Sequence, residues 1–208
     1  NILSTLKAME YLEQDEETGK YRLGIQVFTL SKALGDTYSI TKIAAPYLQE
    51  LSNQTHERVY LAVPYRAEVL YLDSMYPADS VELMRSILGE RAQMYCTGIG
   101  KAMLANMNER VIDEYLATHD LKSFTENSIT DKEEFRQELV RTRQRGYAID
   151  DMEHEFGIKC VAMPIFDRNR NVYAAISISG LAHHFTSERI AEWAILLKKY
   201  ISKIENRL

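Results

Sequence analysis

The sequence predicts an α+β protein, and three observations point there. Val59–Val63 and Val69–Leu72 are short apolar strands on either side of the turn PYRAE, which makes a hairpin. Ile158–Ile165 and the alternating Val172–Gly180 form a second strand pair across a polar turn. Elsewhere apolar residues recur at three- and four-residue spacing, most plainly at Ile190, Trp193, Leu197, Ile201 and Ile204, the mark of amphipathic helices.

One full domain with a small appendage is what 208 residues suggest, and 46% hydrophobic with 26% charged residues is ordinary for a soluble globular chain. The net charge of −5, with no dense basic run, argues against a chain built throughout to hold nucleic acid. Cys96 and Cys160 form no CxxC pair and no disulfide framework, so a reducing, cytoplasmic setting is expected. No apolar run is long enough to span a membrane, and no signal peptide is visible. The chain opens on Asn1 in mid-helix pattern, which suggests a fragment of a longer protein.

Each element has its own signals. Ile2, Leu6 and Met9 recur at helical spacing, and Tyr11-Leu12 with Tyr21-Arg22-Leu23 flank a polar, Gly-containing turn. A helix followed by a small hairpin is the closing part of a winged helix-turn-helix, and equally an amphipathic helix beside any surface hairpin. Ile25–Leu34 suits a connecting helix that breaks at Gly35-Asp36. Ile40–Leu51 is a helix with Ile43, Ala44, Tyr47, Leu48 and Leu51 on one face, in which Pro46 should start a new turn or cause a kink. A further strand is expected over Val81–Ile87, ending at Gly89. Glu109–Thr118 reads as a short helix. Thr130 with Glu133 forms a capping box for the helix Asp131–Arg145, which Gly146 closes, and Thr186 caps the last helix.

Two stretches carry chemistry. In RGYAIDDMEHEFGIKC (145–160) and the following strands, alternation puts Ser177 and Ser179 on one face and Ile176 and Ile178 on the other. Cys160 lies in the partner strand, and Asp150 and Asp151 arrive in an acidic loop just upstream. A few polar groups in an apolar setting suit a small-molecule pocket, although buried serines and cysteines are also common packing residues. In AQMYCTGIGKAMLA (92–105) the glycines open a helix near Ile99–Lys101, and free N–H groups at such an entry suit a carboxylate or phosphate. It is no nucleotide P-loop, because Tyr95 and Ala102 stand where that motif needs Gly and Ser or Thr. The glycines also suit close packing of helix on sheet.

Taken together, Tyr21-Arg22-Leu23-Gly24, CTGIGKAMLA at 96–105, RGYAIDDMEHEFGIKC at 145–160 and AAISISG at 174–180 resemble the IclR family of bacterial transcriptional regulators, along essentially the whole chain. The resemblance implies a GAF/PAS-like effector domain, a curved antiparallel sheet flanked by helices, over residues 39–208. A linker helix at 25–38 and the end of a winged helix-turn-helix at 1–24 would precede it. It also implies a small-molecule effector, an organic acid or a sugar-derived or aromatic metabolite, that allosterically controls operator binding by a homodimer or homotetramer. By motif position, the N–H groups of Gly98 and Ile99 would hold a carboxylate. Asp150, Cys160, Ser177 and Ser179 would make polar contacts, and Val81, Met84, Ala92 and Ile158 would form apolar walls. Ala92 replaces a larger aliphatic of the family and Gln93 a proline, which leaves the effector open. Lys20 and Arg22 of the wing would touch phosphate.

Two other readings compete. Cys160 with His154 or His56 and Asp150 could be drawn as a hydrolase nucleophile, base and orienter, yet the thiol sits in an apolar strand with no helix N-terminus expected beside it. Asp150, Asp151, Glu153, His154 and Glu155 crowd one loop and His183-His184 form a pair, but acidic loops are usually solvated and adjacent histidines do not face one metal. The expectation is a regulator without catalysis, resident metal or other cofactor.

Overall fold

The computed structural model describes residues 1–37, 39–78 and 87–208, and the side chains of all of these except 34–37 and 39. It divides into two compact units, Asn1–Thr41 and Lys42–Leu208.

The first unit opens with helix α1 (Ile2–Ala8), where the Asn1 side chain accepts a hydrogen bond from Leu3 N–H at 3.3 Å. Strands β1 (Leu12–Gln14) and β2 (Tyr21–Leu23) then pair antiparallel, with Leu12 opposite Leu23. Gly24 follows because a Cβ there would collide with the Glu10 carbonyl. Helix α2 (Gln26–Thr37) runs through Gly35 and Asp36, against the expected break. One glycine costs a helix only about 1 kcal/mol, which is not enough to stop it without a proline or a capping turn.

The second unit is the sheet domain. Helix α3 (Ser39–Thr55) carries Pro46 inside it and buries Ala44, Leu48 and Leu51 completely. His56, with φ at 56°, turns the chain into strand β3 (Arg58–Tyr65), which pairs with β4 (Glu68–Met75) across a two-residue turn. Of the strand expected at Val81–Ile87, only Ile87 falls within the described residues, and it is in no regular element. A short strand that the sequence reading missed, β5 (Arg91–Gln93), pairs instead with the start of β4.

Helices α4 (Gly98–Leu104), α5 (Glu109–Thr118) and α6 (Lys132–Arg145) follow. The cap of α6 is Asp131, whose carboxylate accepts from Glu134 N–H at 2.8 Å, one residue beyond the expected Thr130. A carboxylate beside the helix N-terminus gains from the dipole as well as from the hydrogen bond, so it wins over the hydroxyl. Gly146 ends α6 at φ 84°, as expected.

Strand β6 (Ala148–Asp151) replaces the first part of the expected acidic loop, and β7 (Ile158–Phe166) and β8 (Val172–Leu181) complete the sheet. Its order is β5-β4-β3-β8-β7-β6, with every neighbour antiparallel. A 3-10 turn (Ala182–His184) leads to the last helix, α7 (Ser187–Glu205), capped by Thr186 as the sequence indicates.

Alternation divides the core. Ala62, Ala162 and Ala175 face α4, and their small side chains let this helix lie close to the sheet. Val161, Ile176 and Ile178 face the opposite side, where α7 packs on β7 and β8. Gln54 of α3 donates to the Tyr200 hydroxyl of α7 at 2.8 Å, tying these two helices together on that side.

Candidate functional site

Strand register assembles the site. Arg58 of β3 stands opposite Ser179 of β8, Ser179 opposite Cys160 of β7, and Cys160 opposite Asp150 of β6. Four polar side chains thus form one row across four strands, on the face that carries α4. One step along, Tyr60 stands opposite Ser177, on the same face. Thr97, the N-cap of α4, accepts from Gly100 N–H at 3.2 Å and donates to the Gln93 carbonyl at 2.9 Å, which fixes the first turn of α4 over the row.

Between row and helix lies a cavity of about 780 Å³, within the range of small-molecule sites. The structure brings Gly98, Ile99, Asp150, Cys160, Ser177, Ser179, Ala92 and Ile158 together in its lining. Val81 and Met84 lie outside the described residues. The sequence reading did not single out Arg58, Tyr60, Tyr71, Arg91 or Thr97, which also line it. His154 and Glu155 line it too, and the sequence reading had set them in other roles.

Gly98 is a glycine for a steric reason. A Cβ built there would lie 2.5 Å from the Cys160 sulfur and 3.6 Å from Asp150 Cβ. Gly100 is confined in the same way, because a Cβ would run into the Met94 backbone. The explanation of close packing of helix on sheet therefore holds at Gly98, whereas Gly100 lets α4 close on the loop that leads into it. It also corrects one expectation, since a helix N-terminus does stand beside Cys160. Burial nevertheless dominates there, and with the nearby Asp150 it pushes the Cys160 thiol well above its ordinary range, against the opposing pull of Gly98 N–H.

A tight turn holds Asp150. Its carboxylate accepts from Glu153 N–H at 2.8 Å, across Met152 at φ 60°. The turn sends Glu153 inward to an ion pair with Lys101 of α4, both side chains almost wholly buried. From outside, Ser128 donates to the Glu153 carbonyl at 2.6 Å and Thr125 to that of Met152 at 2.7 Å. Burial, and then the charge of Glu153, push the Asp150 carboxyl up to about 7, while Lys101 pulls it down.

Of the side chains drawn above as a hydrolase, Cys160 and Asp150 do meet, the thiol donating to the carboxylate at 3.9 Å, but the histidine is engaged elsewhere. His154 Nδ1 lies 3.5 Å from the sulfur of Cys96, whose thiol burial pushes up to about 12. Asp151 pairs with Lys159 at 2.6 Å, and His184 pairs with Glu57 at 2.6 Å, far along the chain from the acidic loop. Among the described residues no group of three or more His, Cys, Asp or Glu is placed to hold a metal ion.

Residues 32–206 match the family described as the bacterial transcriptional regulator IclR C-terminal domain. The chain belongs to the IclR family. Among its relatives, the HTH-type transcriptional regulator KdgR of Escherichia coli is 32% identical over 210 residues, covering 100% of this chain and 78% of that protein. The transcriptional repressor IclR of Escherichia coli is 29% identical over 207 residues, covering 98% and 74%. The crystal structure of Thermotoga maritima IclR superimposes with a TM-score of 0.85 at 33% identity, over 99% of this chain and 83% of that one. The relatives are transcriptional regulators, and the curled antiparallel sheet between helices is the IclR C-terminal fold. No helix among the described residues is long and apolar enough to cross a membrane.

Strands β1 and β2 form the hairpin that the sequence reading took as a wing. Its Arg22 is exposed and paired with Glu13 across the hairpin at 2.6 Å, and Lys20 is exposed at the end of the turn.

Proposed function

We propose that this IclR-family regulator senses a small organic acid, or a sugar-derived or aromatic metabolite, in the cavity between α4 and the sheet. Its occupancy controls operator binding by the winged helix-turn-helix that ends in residues 1–24, joined by the linker helix 25–38 to an effector domain over 39–208. The observation that carries this reading is the convergence of Asp150, Cys160, Ser177 and Ser179 on one cavity with Gly98 and Ile99 of α4. Backbone N–H groups at the α4 end and hydroxyls along the strands offer a ligand both donors and acceptors, while Ala92 and Ile158 supply apolar wall.

Operators read by paired winged helices are two-fold symmetric, so the working form is a homodimer or homotetramer, in which effector binding shifts the population of DNA-binding arrangements. Lys20 and Arg22 supply phosphate contacts from the wing, with Arg22 exchanging Glu13 for the backbone. Catalysis plays no part. The raised Cys160 thiol and the engagement of His154 with Cys96 both speak against a cysteine nucleophile.

A thermal-shift screen with small carboxylates, aromatic acids, sugar acids and sugars tests the reading. A ligand at a hundred times its Kd adds about 2.7 kcal/mol, which moves the midpoint by a few degrees. The expected result is a stabilising compound whose effect is lost in Ser179→Ala, and which changes retention of promoter DNA by the full-length protein at fixed salt. Stabilisation that survives Ser179→Ala would place the ligand elsewhere.

A further inference from the structure

The turn that carries Asp150 has a second side. Alternation along β6 directs Asp150 to the cavity under α4 and turns Ile149 and Asp151 away from it. There, beside the edge strand β6, helix α6 and the loop ahead of α6, lies another cavity of about 400 Å³, which shares no lining residue with the first. Ile129 and Ile149 give it apolar wall, and Glu138, Arg145, Asp151 and Glu153 bring charge.

Most of that charge is already matched. Glu138 accepts from Arg141 at 2.9 Å and from Arg145 at 3.3 Å, and Asp151 pairs with Lys159 at 2.6 Å. Glu153 is the exception. Its Oε1 accepts from the Lys101 ammonium and, at 3.4 Å, from the Asp151 N–H, while its Oε2 is buried and has no hydrogen-bond partner among the described residues. A buried carboxylate oxygen of this kind calls for a donor.

The balance of charge shows which donor. Asp150, Glu138 and Glu153 are all buried, and one buried ammonium, Lys101, acts on all three. Arg141 and Arg145 serve Glu138, which leaves two carboxylates to one cation. Burial accordingly pushes the Glu153 carboxyl up in spite of Lys101. A donor that also carries positive charge fits this place better than a hydroxyl or a further acid. A divalent metal ion does not fit, because no group of three or more His, Cys, Asp or Glu among the described residues is placed to hold one.

We propose that this second cavity binds a small aliphatic ammonium ion, whose N–H groups donate to the open oxygen of Glu153 while its alkyl chain lies along Ile129 and Ile149. The site does not depend on the sensing role proposed above. The two cavities nevertheless share the turn from Asp150 to Glu153, so an occupant of the second holds one wall of the first.

Amide NMR titration of the chain with three probes at about pH 7 tests it. The probes are n-butylamine, protonated at that pH, n-butanol, which has the same alkyl chain without the charge, and tetramethylammonium, which has the charge without an N–H donor. Butylammonium is expected to bind in the millimolar range and at least about tenfold more tightly than either control, in line with one charge-assisted hydrogen bond. The amides that shift should be those of Asn127, Asp151 and Glu153 rather than those of Gly98 and Ser179. Glu153→Gln keeps the size and an acceptor for Lys101, and should weaken butylammonium at least about tenfold. If that variant does not fold, Ile149→Trp alters neither partner of the ion pair, narrows the cavity and should weaken butylammonium by as much. Tetramethylammonium or butanol binding as tightly as butylammonium overturns the proposal, as do shifts centred on Gly98 and Ser179, or affinity unchanged in the folded variant. No saturable shift with butylamine also overturns it, and makes a bound water the partner of the Glu153 oxygen.

Discussion

Asp150 shows how one side chain links the cavity to the stability of the fold. In an unfolded chain its carboxyl titrates at about 3.9, whereas in the fold it is pushed up to about 7. The native state therefore holds the proton more tightly than the unfolded one. The stability this group contributes is complete below about pH 4 and is lost as pH rises through about 7. Asp150→Asn keeps the shape and the acceptor for Glu153 N–H but cannot ionise. Relative to the parent, the variant should gain on the order of 1–3 kcal/mol between about pH 5 and about pH 8, measured by urea unfolding. A difference that stays constant over that range would mean that Asp150 does not titrate there. At this scale the sequence was partly legible. Alternation alone sorted Ser177 and Ser179 from Ile176 and Ile178. The same alternation in RVYLAV puts Arg58 and Tyr60 on one face, but one strand cannot say which face or which neighbour. The register with β8 decides that, so Arg58 was invisible until the strands were paired.

Elements were legible where local chemistry acts alone. Helix α5 occupies the residues expected, and Thr186 and Gly146 act as their types dictate. Besides the break expected at Gly35 and the cap expected at Thr130, the misses are short strands. β5 has three residues and β6 four, too few for a periodicity to emerge, and both are edge strands that exist because a neighbour offers hydrogen bonds. Helix α4 belongs between these cases, since its glycines announced it without saying which of two roles they play. Gly98 answers this by its contact with Cys160. Gly98→Ala pushes α4 off β7 and should destabilise the fold by about 1–3 kcal/mol, the cost of overpacking a tight contact. Cys160→Ala makes room for the new methyl, so the double variant should recover by about 1 kcal/mol or more relative to the sum of the single changes. Strict additivity in denaturant titrations would mean that the two residues do not constrain each other, and that Gly98 is needed for another reason.

For the whole molecule, the two units differ in what holds them together. Among residues 1–33 only Gly24 is buried, and α1 buries none of its side chains. The second unit holds nearly all of the apolar core, including the fully buried Leu48, Leu61, Ile176, Leu197 and Ile204. Burial at about 25 cal/mol per Å² is the main favourable term in folding, so the cooperative unit should be the sheet domain. Residues 39–208, which retain the whole of α3, should therefore melt within a few degrees of the full chain. Amides of α1, β1 and β2 should exchange with solvent orders of magnitude faster than those of β3, β8 and β7, which should open only on global unfolding. The same division suits the sensing role proposed above, in which a ligand in the cavity would act on a body that is already folded and would spend its binding energy on the choice between arrangements. If removing residues 1–38 lowers the melting midpoint by ten degrees or more, the segment contributes to the core in solution and the division into independent units is wrong.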